Sequence, residues 1–207
     1  MSKLYLVTDS LICQQAGHNV EYVVEQACKA GVNWVQLREK DLSIEDFIAL
    51  AHKVLAITQM YNAKLIINDR VEVAVAVDAD GVHIGQDDMS YTQARELMGY
   101  TKIIGLSVNN LPELTTANAL DVDYVGIASI FSTTTKLDTT SELGVEGLRS
   151  LCTQTKHSTY AIGGINQTNI QQVIQTGVTG VAVVSAICGT ASPYDATRTL
   201  IQLIENA

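Results

Sequence analysis

The sequence predicts an α/β protein folded as a single closed (β/α)8 TIM barrel. Three observations carry that expectation: eight short apolar runs recur along the chain, segments with helical spacing separate them, and nearly every run ends in a polar or glycine-rich cluster. Eight parallel strands with their chemistry gathered at one end describe a barrel with one functional face. The same alternation can be written as a doubly wound open sheet, and periodicity alone does not separate the two. The count of eight, and function-like residues after almost every strand instead of at one switch point, favour closure.

Taken in order, run 4–7 leads into Thr8-Asp9, run 34–37 into Arg38-Glu39-Lys40, run 65–67 into Asn68-Asp69, and run 82–84 into Gly85-Gln86-Asp87-Asp88. Run 103–106 precedes Ser107, run 124–127 a Thr-rich loop, run 160–162 Gly163-Gly164, and run 181–184 Ser185. One helix is expected from a Ser43 cap, with Glu45 and Asp46 in its first turn, to about Thr58. The last starts at Ser192-Pro193, serine capping and proline in the first turn. Others are expected over residues 20–30, 71–77, 91–98, 111–119, 145–154 and 168–175.

With 207 residues and 47% hydrophobic content, residues 1–207 suit one domain with a large core. Only Pro112 and Pro193 are proline, and no linker-like stretch interrupts the chain. A formal net charge of −9 argues against nucleic acid or an anionic membrane as principal partner. The start lacks a basic segment followed by a long apolar core, and nowhere do 18 apolar residues run together, so a cytoplasmic protein is expected. Cys13, Cys28, Cys152 and Cys188 form no C-x-x-C pair and read as small buried residues.

Period-two geometry puts Gln36, Arg38 and Lys40 on one face of the second strand, with Val35, Leu37 and Glu39 on the other. Two inward cations at a barrel mouth make physical sense if they meet an anion. Asp69 and Asp88 fall on neighbouring loops, where two carboxylates suit magnesium completed by water and substrate phosphate. Helix capping is the rival reading of these acids, and Asp87 is an alternative to Asp88. The longest irregular stretch follows the sixth strand, from Ser129 to about Gly144, and its hydroxyls and Lys136 could hold a phosphate or diphosphate. Gly163-Gly164 and Val184-Ser185 stand where many barrels bind phosphate through backbone N–H groups. His18, His52 and His157 fall in helices or connections, and His83, on a strand, is expected to be hydrogen-bonded in or beside the core. No Ser/His/Asp arrangement, H-E-x-x-H pair or P-loop is present.

Five stretches together resemble the thiamine phosphate synthase (thiamine-phosphate pyrophosphorylase) family: residues 36–40, Asn68-Asp69, residues 81–88, Thr133-Thr134-Thr135-Lys136, and residues 161–165. Two positions differ from the common pattern, Ala128-Ser129 where a Gly-Pro is usual and Asn109-Asn110 where a histidine is frequent. The resemblance implies a transferase of thiamine biosynthesis. It joins 4-amino-2-methyl-5-(diphosphooxymethyl)pyrimidine to a (carboxy)thiazole phosphate, giving thiamine phosphate and releasing pyrophosphate. It implies that Gln36, Leu37, Arg38, Glu39, Lys40, Asn68, Ser107 and Lys136 bind the pyrimidine diphosphate, with Arg38, Lys40, Lys136 and Ser107 catalytic. Thr133, Thr134, Thr135, Gly164, Val184 and Ser185 would receive the thiazole phosphate, and Asp69 and Asp88 would hold Mg2+. The resemblance fixes no oligomeric state.

Two other functions compete. A thiazole tautomerase of the same superfamily needs a proton shuttle, often a histidine, and no histidine is expected at the barrel mouth. A non-catalytic phosphate-ligand sensor would have no need of Asp69, Asp88 or Lys136.

Overall fold

The computed structural model describes residues 3–132 and 142–207. Eight parallel strands form a closed barrel in sequence order: β1 (Leu4–Val7), β2 (Trp34–Leu37), β3 (Lys64–Asn68), β4 (Gly81–Ile84), β5 (Ile103–Val108), β6 (Tyr124–Ile127), β7 (Ser158–Ala161) and β8 (Gly180–Val183). Closure comes from β1 against β8, with Leu4 opposite Val181, Tyr5 opposite Ala182 and Leu6 opposite Val183. The open-sheet alternative is thereby excluded, and the sheet has no free edge.

Around the barrel run α1 (Ser10–Gln15), α2 (Val20–Ala30), α3 (Ile44–Met60), α4 (Val71–Ala76), α5 (Tyr91–Met98), α6 (Leu111–Asn118), α7 (Gly144–Cys152), α8 (Ile170–Ile174), α9 (Ser185–Cys188) and α10 (Pro193–Glu205). Side chains of Asn19, Ser43, Ser90, Asn110 and Ser192 each accept a first-turn amide, so the expected caps are in place for α3 and α10. Helix α8 starts later than expected because the Asn166 side chain takes the Thr168 amide at 2.9 Å, making a turn there. Helices α1 and α9 were not expected.

Strand alternation divides the core in two. Outward residues such as Leu6, Val35, Leu65, Ile67, Val82 and Val125 pack beneath the helices. Inside the barrel sit Tyr5, Val7, Trp34, Ile66, Tyr124, Tyr160 and Ala182. Trp34 stacks on Tyr160 with centroids 5.7 Å apart, and Tyr5 stands edge-on to Trp34 at 5.4 Å. Such ring pairs contribute about 0.5–1.5 kcal/mol each beyond burial. Gly105 makes room for this layer, since a Cβ there would lie 2.1 Å from the Tyr124 ring. The aromatic plug closes the lower barrel and leaves the upper part for a cavity.

All four cysteines are free thiols, three of them buried, and no described helix is long and apolar enough to cross a membrane.

Candidate active site

A cavity of about 300 Å³ opens among the C-terminal ends of the strands, and every strand or the loop after it contributes to its wall. The β2 side chains Gln36, Arg38 and Lys40 all face it, as alternation requires. Leu37 and Glu39, expected among the binding residues, do not line it with their side chains. Leu37 is fully buried beneath the helices, and Glu39 turns away to accept a hydrogen bond from the Ser10 hydroxyl.

The cations are held by acids. Arg38 pairs with Asp9 at 2.9 Å while its backbone N–H donates to the Thr8 hydroxyl at 3.0 Å. Lys40 pairs with Asp69 across the β2–β3 boundary. Asp69 occupies the left-handed region with φ of 60°, and its N–H donates to the His83 carbonyl at 2.8 Å. This backbone turn brings the Asp69 carboxyl within hydrogen-bonding reach of Asp88. Asp88 in turn accepts the Gly85 N–H at 2.7 Å.

Burial works against ionising Asp69, yet the hydrogen bonds with Lys40 and Asp88 and the Lys40 charge hold its carboxyl below the usual range. Burial and the neighbouring Asp69 charge push Asp88 the other way, against the Gly85 N–H. Two carboxyls sharing a site in this way have a natural third partner in a hard cation. Among the described residues no third acid, histidine or cysteine completes an all-protein cage. A donor set of one or two carboxylates fits magnesium, which keeps waters and takes phosphate oxygens as its other ligands.

On the opposite wall lie Gly163, Gly164, Val184 and Ser185. Gly164 adopts φ of 64°, and a Cβ there would lie 2.5 Å from the Ser132 carbonyl oxygen. The residue before α9, Val184, offers no side-chain cap to its first turn. Thr133, Thr134, Thr135 and Lys136 lie outside the described residues. The segments flanking them are clasped together, Leu143 N–H donating to the Ser129 carbonyl at 2.9 Å and Gly144 N–H to the Ile130 carbonyl at 3.0 Å.

Asn68 and Ser107 line the cavity as expected. Sequence reasoning missed Tyr5, Tyr124 and Asp9, and it put no histidine at the barrel mouth. His83 is hydrogen-bonded as expected, to Tyr124 and Ser107, but its ring also faces the cavity, because Val82 and Ile84 on either side point outward. Period-two alternation, applied to β1, β4 and β6 as it was to β2, is the signal that finds Tyr5, His83 and Tyr124.

The chain matches a family model described as thiamine monophosphate synthase over residues 4–187. The thiamine-phosphate synthase of Vibrio campbellii is 48% identical over 202 residues, 98% of each chain. That of Clostridium novyi is 41% identical over 201 residues, 97% of this chain and 98% of the other. The solved structure of thiamine phosphate pyrophosphorylase from Pyrococcus furiosus superposes with a TM-score of 0.90 at 36% identity, covering 99% of this chain and 96% of that one. With likeness in sequence and in fold extending over nearly its whole length, this chain belongs to the thiamine monophosphate synthase family.

Proposed function

We propose that this chain is a transferase that joins 4-amino-2-methyl-5-(diphosphooxymethyl)pyrimidine to a (carboxy)thiazole phosphate, forming thiamine phosphate and releasing pyrophosphate. The observation that carries this reading is the rim where Lys40 pairs with Asp69 beside Asp88 and Arg38, held by Asp9, lines the same cavity, facing a glycine-lined wall across it. Cations beside two carboxylates suit a diphosphate with its metal, and the opposite wall suits a second phosphate.

The bond from the pyrimidine methylene carbon to the diphosphate oxygen breaks, and the electron pair leaves with pyrophosphate. The thiazole nitrogen then supplies the pair that forms the new C–N bond. Arg38 and Lys40 stabilise charge on the leaving group, with Lys136 in the same role from the loop after β6. Asn68, Gln36 and Ser107 orient the pyrimidine, while Thr133, Thr134, Thr135, Gly164, Val184 and Ser185 seat the thiazole phosphate. Asp69 and Asp88 would hold Mg2+, which when bound supplies further charge neutralisation to the diphosphate. No side-chain nucleophile is needed. The aromatic plug of Tyr5, Trp34, Tyr124 and Tyr160 keeps water from reaching the reacting carbon from below. A cytoplasmic setting and small-molecule partners belong to the same proposal.

His83 in the cavity favours a second reading, the tautomerase. Both ring nitrogens are already engaged, by Tyr124 at 3.0 Å and Ser107 at 2.9 Å, which suits a fixed ring better than a proton shuttle. The sensor reading leaves the two-carboxylate rim without a purpose. Purified protein supplied with both substrates, with and without magnesium, tests all three. Magnesium-dependent appearance of thiamine phosphate and pyrophosphate in equal amounts is expected. Isomerised thiazole phosphate, or binding without turnover, would transfer the function to the tautomerase or the sensor.

A further inference from the structure

Five side chains from five strands form an unbroken hydrogen-bonded chain across the floor of the cavity. Gln36 Nε2 donates to the Tyr5 hydroxyl at 2.9 Å, and the Tyr5 and Tyr124 hydroxyls meet at 2.9 Å. The Tyr124 hydroxyl lies 3.0 Å from His83 Nδ1, and His83 Nε2 lies 2.9 Å from Ser107 Oγ. Each hydroxyl has one proton and a neutral imidazole has one N–H, so the direction of one link sets the direction of the next.

Donation by Gln36 makes the Tyr5 oxygen an acceptor. Tyr5 is 1% exposed, and among the described residues the other hydrogen-bond partner of its hydroxyl is Tyr124. A buried donor requires an acceptor, so the Tyr5 proton goes to Tyr124. Tyr124, also buried, then sends its own proton to His83 Nδ1. A neutral ring that accepts at Nδ1 carries its hydrogen on Nε2 and donates it to Ser107 Oγ. Ser107 is left with a hydroxyl proton to give to the cavity it lines, and Gln36 with a carbonyl oxygen. An acceptor at one end and a donor at the other match an aminopyrimidine, whose amine donates and whose ring nitrogens accept.

We infer that His83 is a positioning residue, held as its Nε2–H tautomer by the two phenols so that Ser107 is a fixed hydrogen-bond donor toward the pyrimidine substrate. The inference rests on the proposed reaction for its role and on the hydrogen-bond chain alone for the tautomer. The opposite sense requires the Gln36 amide turned over, with Ser107 donating inward.

15N NMR of the ligand-free, histidine-labelled protein separates the two senses, the His83 signals being identified by their loss in His83→Gln. An unprotonated, hydrogen-bonded Nδ1 and a protonated Nε2 are expected. The reverse pattern, a mixture of tautomers or an imidazolium would overturn the inference. Tyr124→Phe keeps the ring while deleting the donor to Nδ1. It is expected to mix the tautomers and raise KM for the pyrimidine diphosphate about tenfold, with KM for the thiazole phosphate within about twofold of wild type. An unchanged tautomer, or equal effects on both KM values, would overturn it. His83→Gln, whose amide can still donate to Ser107, is expected to retain more activity than His83→Leu, and equal loss in both reduces His83 to packing. Wild-type protein that makes no thiamine phosphate would remove the role in the reaction, while the NMR result on free protein would still decide the tautomer.

Discussion

Asp9 accepts from Arg38 at 2.9 Å and from the Ile12 amide at 3.1 Å, so one carboxylate both orients the guanidinium and caps α1. The pair is mostly shielded, with side chains 18% and 15% exposed. A planar five-donor group can keep this partner and still face an anion, which a lysine ammonium does less well. Arg38→Lys is expected to lower kcat/KM for the pyrimidine diphosphate about 10- to 100-fold with little change in thermal unfolding. Arg38→Ala should add a stability loss of about 1–3 kcal/mol, because Asp9 is left shielded and unpaired. Wild-type kinetics in the lysine variant would show that charge alone is used at this position.

The Asp69–Asp88 pair makes a separate prediction through magnesium. Asp69→Asn and Asp88→Asn should each raise the magnesium concentration needed for half-maximal turnover by about tenfold or more, with partial recovery at saturation. Chelation of the wild-type protein should abolish turnover and leave its circular dichroism unchanged, since Lys40 and the Gly85 N–H already engage the carboxyls without metal. Turnover that survives chelation would assign the two acids a purely structural role.

The barrel was legible because a parallel strand buried on both faces writes itself as a continuous apolar run, and eight such runs stand out from amphipathic helices. The upper rim was legible for a related reason. Charged residues at strand ends, such as Arg38, Lys40 and Asp69, stand out against the apolar runs they follow, and alternation turns Arg38 and Lys40 inward. The floor was legible only in part: alternation turns Tyr5 and Tyr124 inward, but they sit inside runs where any large apolar-bodied residue would serve, and only closure brings their hydroxyls together. Asp9 was hidden similarly. Its partner Arg38 lies 29 positions away, and only the pairing of β1 with β2 makes them neighbours. The Glu39 side chain lies on the far face of β2, where alternation had placed it, although the resemblance carried the whole 36–40 stretch into the binding set.

Gly164 should resist any side chain. Its φ of 64° and the 2.5 Å separation of a built Cβ from the Ser132 carbonyl both oppose alanine, and Phe131 Cβ would be 2.8 Å away. Gly164→Ala is expected to cost about 1–3 kcal/mol in unfolding experiments, through backbone strain and displacement of the segment leading into residue 133. Under the proposed function KM for the thiazole phosphate should rise while that for the pyrimidine diphosphate is little changed. A rise confined to the pyrimidine substrate would place the second phosphate elsewhere.

Glu39 offers the pH test. Burial raises its pKa above the ordinary 4.5, with Asp9 and Asp41 pushing the same way and the Ser10 hydrogen bond and Arg38 opposing. As pH rises through 4.5, the unfolded chain releases the Glu39 proton before the folded one does. The native state then binds more protons than the unfolded state, so this residue's contribution to stability falls with rising pH until the folded pKa is passed, and is constant above it. Glu39→Gln has no such loss and keeps an oxygen to accept from Ser10. Urea unfolding of both proteins from about pH 4 to about pH 7 should show the variant gaining on the wild type across the interval and then levelling off. Because Glu39 faces away from the cavity, both KM values should stay at wild-type levels. A stability difference that does not change with pH would mean that Glu39 ionises as readily in the folded protein as in the unfolded chain.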